Sequence, residues 1–357
     1  MIEEKGVLMG KNAITVGDIT AQPGEIGQGF IRVGETATSA VQFPIVIVNG
    51  SNPGPSLCLT AGVHATEYAP IESVLRFLAE IDPKDLSGTI VAVPVVSMQM
   101  FASRCGFVSP IDGLNLNKIA PGGDGSISEV LVRTLLDEVI TKCKYHIDLH
   151  AGDLGEMLWA FAGYPLTGNS ELDLEGEALS RLYSPRLICL SQDGATLPPF
   201  SGSIVHSAAQ RGVVSILAES GGNGTLEEED VRVHLHGIRN VMRYLRMVVG
   251  QPVIPGPQIA ATGREVTRAK RAGLLRLKVG VGEEIKDGQV VAEISDVFGR
   301  IIEEVQVARG GITGLVWSHK AVNTGDPVVR CWYTKPAPRF AKTEHYVATA
   351  EDACAHA

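Results

Sequence analysis

The sequence predicts an α/β protein with a mostly parallel or mixed sheet flanked by helices, followed by a smaller all-β domain. Three observations lead to this fold class. Strand-like and helix-like segments alternate over residues 40–250, which is the rhythm of βαβ units. A segment with three prolines follows at 251–258. Beyond it, residues 270–333 show short alternating apolar patterns and glycine turns without a convincing helix.

The individual elements follow from local patterns. Short apolar or β-branched runs predict strands at 42–48, 57–62, 89–96, 145–149, 158–161, 187–190 and 213–218. Helical spacing of apolar residues predicts helices at 70–81 and 126–143, and further helices fit 170–183, 203–211 and 225–249. Ser126 and Glu129 have the spacing of a capping box. Residues 98–125 lack periodicity, and so long a loop in a compact domain is usually functional.

These elements divide the chain into four parts. We expect a main domain at 1–250, in which about the first 40 residues form a β extension. A linker at 251–266 leads to the β-domain at 267–335, and a polar tail covers 336–357.

Composition excludes several classes of protein. The chain carries 31 Lys and Arg against 40 Asp and Glu, and this acidic balance argues against a nucleic-acid partner. No stretch approaches the roughly 18 consecutive apolar residues of a membrane span. The first residues lack the apolar segment of a signal peptide, and the six cysteines show no paired spacing. We therefore expect a cytoplasmic protein with free thiols.

Histidine and glutamate residues follow three of the predicted strands. His64 and Glu67 come after strand 57–62, His150 follows strand 145–149, and Glu219 follows strand 213–218. Because the carboxyl ends of parallel strands meet at one edge of a sheet, these side chains should lie together where α/β proteins bind ligands.

The residue types at this edge point to a catalytic metal. Two histidines and one glutamate are a recurring ligand set for catalytic zinc, which predicts one zinc per chain on His64, Glu67 and His150. Glu219 is then free to take a proton from water and pass it to a leaving amine. Asp148 is expected behind a ligand, where it would orient it.

A rival metal site lies within one strand. His146, Asp148 and His150 alternate along it and face one side, so this H-x-D-x-H pattern could itself bind a metal. We favour His150 as the ligand because it stands at the end of the strand, and we expect His146 to pack in the core.

Four motifs in this order resemble a known family. The segments Gly-Val-His-Ala-Thr-Glu at 62–67, Asp-Gly-Leu-Asn-Leu-Asn-Lys at 112–118, Asp-Leu-His-Ala-Gly at 148–152 and Ala-Glu at 218–219 resemble the succinylglutamate desuccinylase/aspartoacylase family, a branch of the zinc carboxypeptidase-like fold. The resemblance covers about 40–250. It implies a zinc-dependent amidohydrolase that releases a carboxylic acid and a free amine from a small N-acyl substrate.

The resemblance also implies roles for individual residues. It makes His64, Glu67 and His150 the zinc ligands and Glu219 the general base. It further implies that an arginine before the 112–117 loop polarises the scissile carbonyl, and Arg104 is the arginine at that place.

Asn117 and Lys118 stand where the family shows Asn-Arg, a pair that holds the substrate carboxylate. Lysine lacks the bidentate fork of arginine, which leaves the substrate open between an N-acetyl diamino acid, a succinyl amide and related compounds. The resemblance further implies a homo-oligomer.

The β-domain resembles a lipoyl/biotinyl-like barrel-sandwich. Its expected hairpin tip at 295–299 has no lysine, so we predict no attached biotin or lipoate. Tyr164 and the loop 192–202 could close over a substrate or could be ordinary turn residues. Two other functions remain: a metallocarboxypeptidase acting on peptides, and a non-catalytic binding or carrier protein with a degenerate metal site.

Overall fold

The structure, a computed structural model, describes residues 12–183, 187–189, 202–254, 256 and 258–337. Residues 1–11 of the expected β extension, nearly all of the loop 192–202 and the tail from 338 onward lie outside these residues. None of the helices in the described ranges has both the length and the apolar character that crossing a membrane requires.

The main domain contains the alternating strands and helices that the sequence predicts. In chain order its elements are β1 (Ile14–Val16), β2 (Ile19–Ala21), β3 (Glu25–Glu35), β4 (Ala40–Asn49), β5 (Asn52–Ala61), α1 (Tyr68–Glu80), β6 (Ser87–Val93), α2 (Met98–Ser103), α3 (Ile127–Thr134), β7 (Tyr145–His150), β8 (Glu156–Gly163), α4 (Ser170–Tyr183), β9 (Leu187–Cys189), α5 (Ile204–Ala209), β10 (Val214–Gly222) and α6 (Glu228–Tyr244). The Ser126 side chain accepts a hydrogen bond from the Glu129 amide at the start of α3, as the capping box predicts. A π-helical turn at Leu135–Val139 and a 3₁₀-helical turn at Ile140–Lys142 extend this helix to the predicted length.

The C-terminal region consists of strands and has no helix among the residues described beyond 258. Its strands are β11 (Ile259–Arg268), β12 (Gly273–Leu277), β13 (Glu284–Ile285), β14 (Val290–Ser295), β15 (Ile301–Gln306), β16 (Gly311–Trp317), β17 (Ala321–Val322) and β18 (Pro327–Pro336). The predicted linker 251–266 is therefore a strand in its second half, from residue 259 onward. Its second half is part of β11 because it pairs with β18 along nearly its whole length and with β9 on the other side.

Twelve of these strands form one mixed sheet within the described ranges, in the order β3-β4-β6-β5-β7-β10-β8-β9-β11-β18-β16-β13. The central strands β6, β5, β7 and β10 are parallel, whereas β4 and β8 flank them in the antiparallel sense. The α/β class with a mixed sheet is thus confirmed.

Helices cover both faces of the sheet and enclose two apolar cores. Helices α1, α4 and α6 contribute to the first core, for example through Phe77 and Ile238. Helices α3 and α5 contribute to the second core, for example through Leu131 and Ile204. A third core lies among the C-terminal strands and contains Val291, Ile294, Val305 and Val328.

The C-terminal strands are joined to the main sheet by backbone pairing. Strand β16 pairs with β8, where Leu315 lies opposite Leu158. On its other edge β16 pairs with β18, where Leu315 lies opposite Arg330. Side chains of the C-terminal region are thereby held beside the strands that end at the candidate site.

Candidate active site

The parallel pairing of three strands, β5, β7 and β10, ends at the same edge of the sheet. Ala61, the last residue of β5, is level with Leu149 of β7. On the other side of β7, Glu219 of β10 is level with His150. The segments that the sequence predicts to meet at this edge do meet there.

The loop after β5 carries the first two residues of the site. Gly62 has a φ of 65°, and a Cβ atom there would stand 3.1 Å from the Cα atom of Val95. Glycine permits both this turn and this close approach. The turn directs the following residues, which include His64 and Glu67, back toward the end of β7, and α1 begins directly afterwards.

His64, Glu67 and His150 form one compact buried group. Glu67 Oε1 lies 2.8 Å from His64 Nδ1, and Glu67 Oε2 lies 2.9 Å from His150 Nδ1. One potential ligand atom from each of the three residues lies within 4.8 Å of the others. Buried histidine and carboxylate groups at this spacing are the donor set of a catalytic zinc site.

Polar groups behind both histidines orient them. Asp148 Oδ2 lies 3.1 Å from His150 Nε2, and Asn115 Oδ1 lies 3.1 Å from His64 Nε2. In the tautomer that carries its proton on Nε2, each histidine donates a hydrogen bond to one of these oxygens, and its Nδ1 lone pair on the Glu67 side can then bind a cation. Thr60 in turn donates a hydrogen bond of 2.6 Å to Asp148 Oδ1. Carboxylate or carbonyl support of this kind is typical of histidines that bind metals.

The charges in this group also suit a divalent cation. Burial raises the pKa of Glu67, but the two neighbouring histidines outweigh burial and lower it to about 2. Burial lowers the pKa of His150, yet Asp148 and Glu67 outweigh it and raise that pKa well above the usual value. The site thus holds positive charge next to Glu67, and a metal ion would replace those protons.

His146 lies apart from this group. It is fully buried, with its two ring nitrogens 2.8 Å from the hydroxyl oxygens of Thr60 and Ser215. Burial lowers the pKa of His146 to about 4, so the ring is neutral at pH 7. Of the two histidines on β7, the structure brings His150 to Glu67 and keeps His146 in the interior.

Glu219 offers an unengaged carboxyl group beside the histidines. Its Oε2 atom is buried and has no hydrogen-bond partner among the described residues. Burial raises the pKa of Glu219 well above its usual value. The nearby carboxylates raise this pKa further, whereas the positive charges of His150 and Arg330 lower it. A carboxyl group with a raised pKa in a cavity is suited to exchanging a proton.

These residues border a cavity of about 290 Å³. Its size suits a small molecule rather than a long peptide. Asn117 and Lys118 both line it, as the sequence predicts. Asn117 Oδ1 accepts a hydrogen bond of 2.9 Å from the Ile204 amide, which anchors the start of α5, whereas the Lys118 side chain is exposed at the rim.

The structure does not bring Arg104 to the cavity. This residue ends α2 with a φ of 54°, it is exposed, and it is not among the residues that line the cavity. Two arginines from the C-terminal strands, Arg264 and Arg330, line it instead. The alternation of β18 places Arg330 and Trp332 on one face, but their position beside β8 depends on a pairing that the sequence does not reveal.

Asp153 is a further residue of the site that the sequence analysis missed. It is fully buried, it accepts hydrogen bonds from the Thr66 hydroxyl and the Phe107 amide, and it thereby ties the ligand loop to the loop after α2. The ring of Phe107 lies 6.0 Å from that of His64 and lines the cavity. Tyr164, in contrast, packs in the first core and is not among the lining residues.

Similarity to known proteins identifies both the family and the fold of this chain. Residues 53–245, more than half of the chain, match the model of the succinylglutamate desuccinylase/aspartoacylase catalytic domain. The chain is 26% identical to the N-alpha-acetyl-L-2,4-diaminobutyric acid deacetylase of Halomonas elongata, over 85% of this chain and 90% of the relative.

Solved structures agree with this match. The product-bound ectoine utilization protein EutE (DoeB) of Ruegeria pomeroyi aligns with a TM-score of 0.80 at 19% identity, over 90% of this chain and 99% of the other. A succinylglutamate desuccinylase/aspartoacylase of Rhodobacter sphaeroides aligns with a TM-score of 0.76 at 23% identity, over 87% and 96%. At these identities the likeness establishes the fold. The chain belongs to the succinylglutamate desuccinylase/aspartoacylase family, and it is a deacylase of the amidohydrolase class, which acts on amide bonds other than peptide bonds.

Proposed function

We propose that this protein is a zinc-dependent deacylase that hydrolyses the amide bond of a small N-acyl amino acid or related N-acyl amine. The observation that carries the proposal is the buried group of His64, Glu67 and His150 beside the unpartnered carboxyl of Glu219. All four residues border a cavity of small-molecule size.

His64, Glu67 and His150 would hold one zinc ion per chain, and Asp148 and Asn115 would keep the two imidazoles in place. When bound, zinc acts as a Lewis acid that polarises a carbonyl group and lowers the pKa of water to about 7. The donor set and its acceptors behind the rings support zinc as the resident metal.

Glu219 is the proposed general base and then general acid. Its carboxylate takes a proton from the attacking water as the new carbon–oxygen bond forms. The same proton passes to the amide nitrogen as the carbon–nitrogen bond breaks, so that a carboxylic acid and an amine leave. The buried and unpartnered Oε2 supports this role because no competing hydrogen bond holds the carboxyl among the residues described.

The proposed substrate class is an N-acetylated diamino acid. The named activity of the Halomonas elongata relative supports this class, and desuccinylation would use the same chemistry. A peptide-trimming carboxypeptidase is disfavoured because Leu315 and Trp332 of the C-terminal strands wall the cavity. A non-catalytic binding protein with a degenerate metal site is disfavoured because the three proposed zinc ligands and the carboxyl group of Glu219 are all present.

The proposal extends to the rest of the chain. We regard 1–250 as the catalytic domain and 267–335 as a β-domain of barrel-sandwich form, which the separate third core supports. The free thiols of Cys58, Cys105, Cys143 and Cys331 support a reducing location such as the cytoplasm. A homo-oligomer remains our expectation.

Metal analysis combined with a substrate panel tests the proposal. The purified protein is analysed for zinc and incubated with N-acetyl, N-succinyl and N-formyl amino acids, including N-alpha-acetyl-L-2,4-diaminobutyrate, while acid release is measured. We expect about one zinc per chain and release of one type of acid. Failure to bind any metal after supplementation, or metal binding without hydrolysis of any N-acyl compound, would contradict the proposal.

A further inference from the structure

We infer that Arg330, on strand β18, binds the carboxylate of the substrate and so makes the C-terminal strands part of the specificity pocket. This inference rests on the proposed N-acyl amino acid substrate. It assigns to Arg330 the contact with the substrate carboxylate that the Asn-Arg motif of the family would assign to Lys118.

Strand pairing fixes the position of Arg330. β8 contributes Leu158 and Phe161 to the cavity, and β10 contributes Glu219, which is level with Phe161. Leu158 is level with Leu315 of β16, which in turn is level with Arg330 of β18. A continuous series of paired strands therefore links β10, which carries the proposed base Glu219, to β18, which carries Arg330.

The charge of Arg330 reaches the reacting end of the cavity. It acts on the carboxyl groups of both Glu156 and Glu219, the two lining acids outside the proposed ligand group. Lys118, another lining cation, is less suited to this position because it is exposed at the rim, where water screens its charge.

The environment of Arg330 suits recognition of a planar anion. Its Nε atom is shielded from solvent, and its guanidinium carbon lies 5.3 Å from the centre of the Trp317 ring. An aromatic face next to a guanidinium group restricts its orientation, and a guanidinium group carries paired N–H donors whose geometry matches a carboxylate in a bidentate contact. A lysine in the Asn-Lys pair cannot provide such a contact.

A substrate carboxylate also needs a cation at this end. The cavity already contains the carboxyl groups of Glu67, Glu156 and Glu219, so a further desolvated carboxylate would be repelled unless a positive charge were close. Arg330 lines the same cavity, is partly buried and meets that need.

Calorimetric binding tests the inference without depending on turnover. The ligands are L-2,4-diaminobutyrate, which is a reaction product under the proposed function, and its carboxamide, which lacks the negative charge. The proteins are the metal-loaded wild type, Arg330→Gln, Arg330→Lys and Lys118→Gln. Arg300→Gln, which removes an exposed arginine of the same region, is the matched control.

We expect the wild type to prefer the carboxylate ligand over the carboxamide. Arg330→Gln should weaken binding of the carboxylate about 10- to 100-fold and leave the carboxamide unchanged, since a charged hydrogen-bonded contact is lost. Arg330→Lys should recover part of the affinity, while Lys118→Gln and Arg300→Gln should keep the preference. Thermal unfolding of each variant verifies that it is folded.

A double variant separates substrate binding from a structural role. If Arg330 served only to offset Glu156, Glu156→Gln would restore carboxylate binding to Arg330→Gln, and our inference would be wrong. Retention of the carboxylate preference by Arg330→Gln, or its absence in the wild type, would also overturn the inference. Failure of the proposed function looks different, because the carboxylate preference would persist while no N-acyl compound released acid.

Discussion

The two walls of the cavity arise in different ways. The wall with His64, Glu67, His150 and Glu219 is formed by residues at or just after the ends of β5 and β7 and at the point where the parallel pairing of β7 with β10 ends. The second wall, with Arg330, is formed by β18, which pairs antiparallel with β16, and β16 in turn pairs antiparallel with β8. Changes in the first wall should therefore remove metal or catalysis, whereas changes in the second should alter which substrates bind.

Loss of a proposed ligand should have the largest effect. His150→Gln removes one Nδ1 donor, and we expect loss of bound zinc and of all measurable hydrolysis. His146→Gln is the matched control because both histidines are buried on the same strand. Elemental analysis of both variants, with circular dichroism to verify folding, measures the effect. If His146→Gln loses zinc and His150→Gln keeps it, the zinc ligand on β7 is His146 and our assignment of His150 is wrong.

Loss of the group behind a ligand should have an intermediate effect. In Asp148→Asn, an amide replaces the oxygen that faces His150 Nε2 or the one that accepts from Thr60. We expect zinc affinity to fall about 10- to 100-fold, the usual range for such second-layer contacts. Competition with a chelator measures it. Unchanged affinity would mean that Asp148 does not orient the ligand.

A change in the C-terminal wall should have the smallest effect on catalysis. A Cβ atom at Gly314 would stand 1.5 Å from the Trp332 ring, so Gly314→Ala must displace a lining residue. We expect KM to rise several-fold with zinc content unchanged, and unfolding free energy to fall by about 1–3 kcal/mol.

Gly123→Ala is the control for Gly314→Ala. Its new Cβ atom would make an ordinary contact at 3.6 Å with Glu129. Steady-state kinetics and thermal unfolding of the two variants measure the difference. Loss of zinc from Gly314→Ala would show that the two walls do not act independently.

The sequence predicts the first wall well because its information is local. An apolar run of strand length followed directly by His64 or His150 identifies both the strand and the edge where its ligand lies. Parallel strands of one sheet have their carboxyl ends at the same edge, so these residues can be predicted to lie together without knowing which distant strands pair. Capping at Ser126 is local for the same reason, and it too is present in the structure.

The second wall could not be predicted because its information is non-local. Arg330 lies 111 positions after Glu219, and only the register of β8, β16 and β18 brings both to one cavity. The choice of Arg104 shows the same limit, since nearness to a motif in sequence did not place its side chain at the site. The strand in the predicted linker forms because β18 and β9 pair with it, and its own sequence gives no such signal.

The replacement Glu219→Gln tests the central claim most directly. It keeps the size of the side chain and removes its ability to carry a proton, and Glu219 is not one of the proposed zinc ligands. Zinc content and acid release are measured on the same preparation of wild type and variant. We predict full zinc occupancy and a loss of turnover of about 100- to 10,000-fold. Near-normal turnover, or loss of the metal together with activity, would contradict the account.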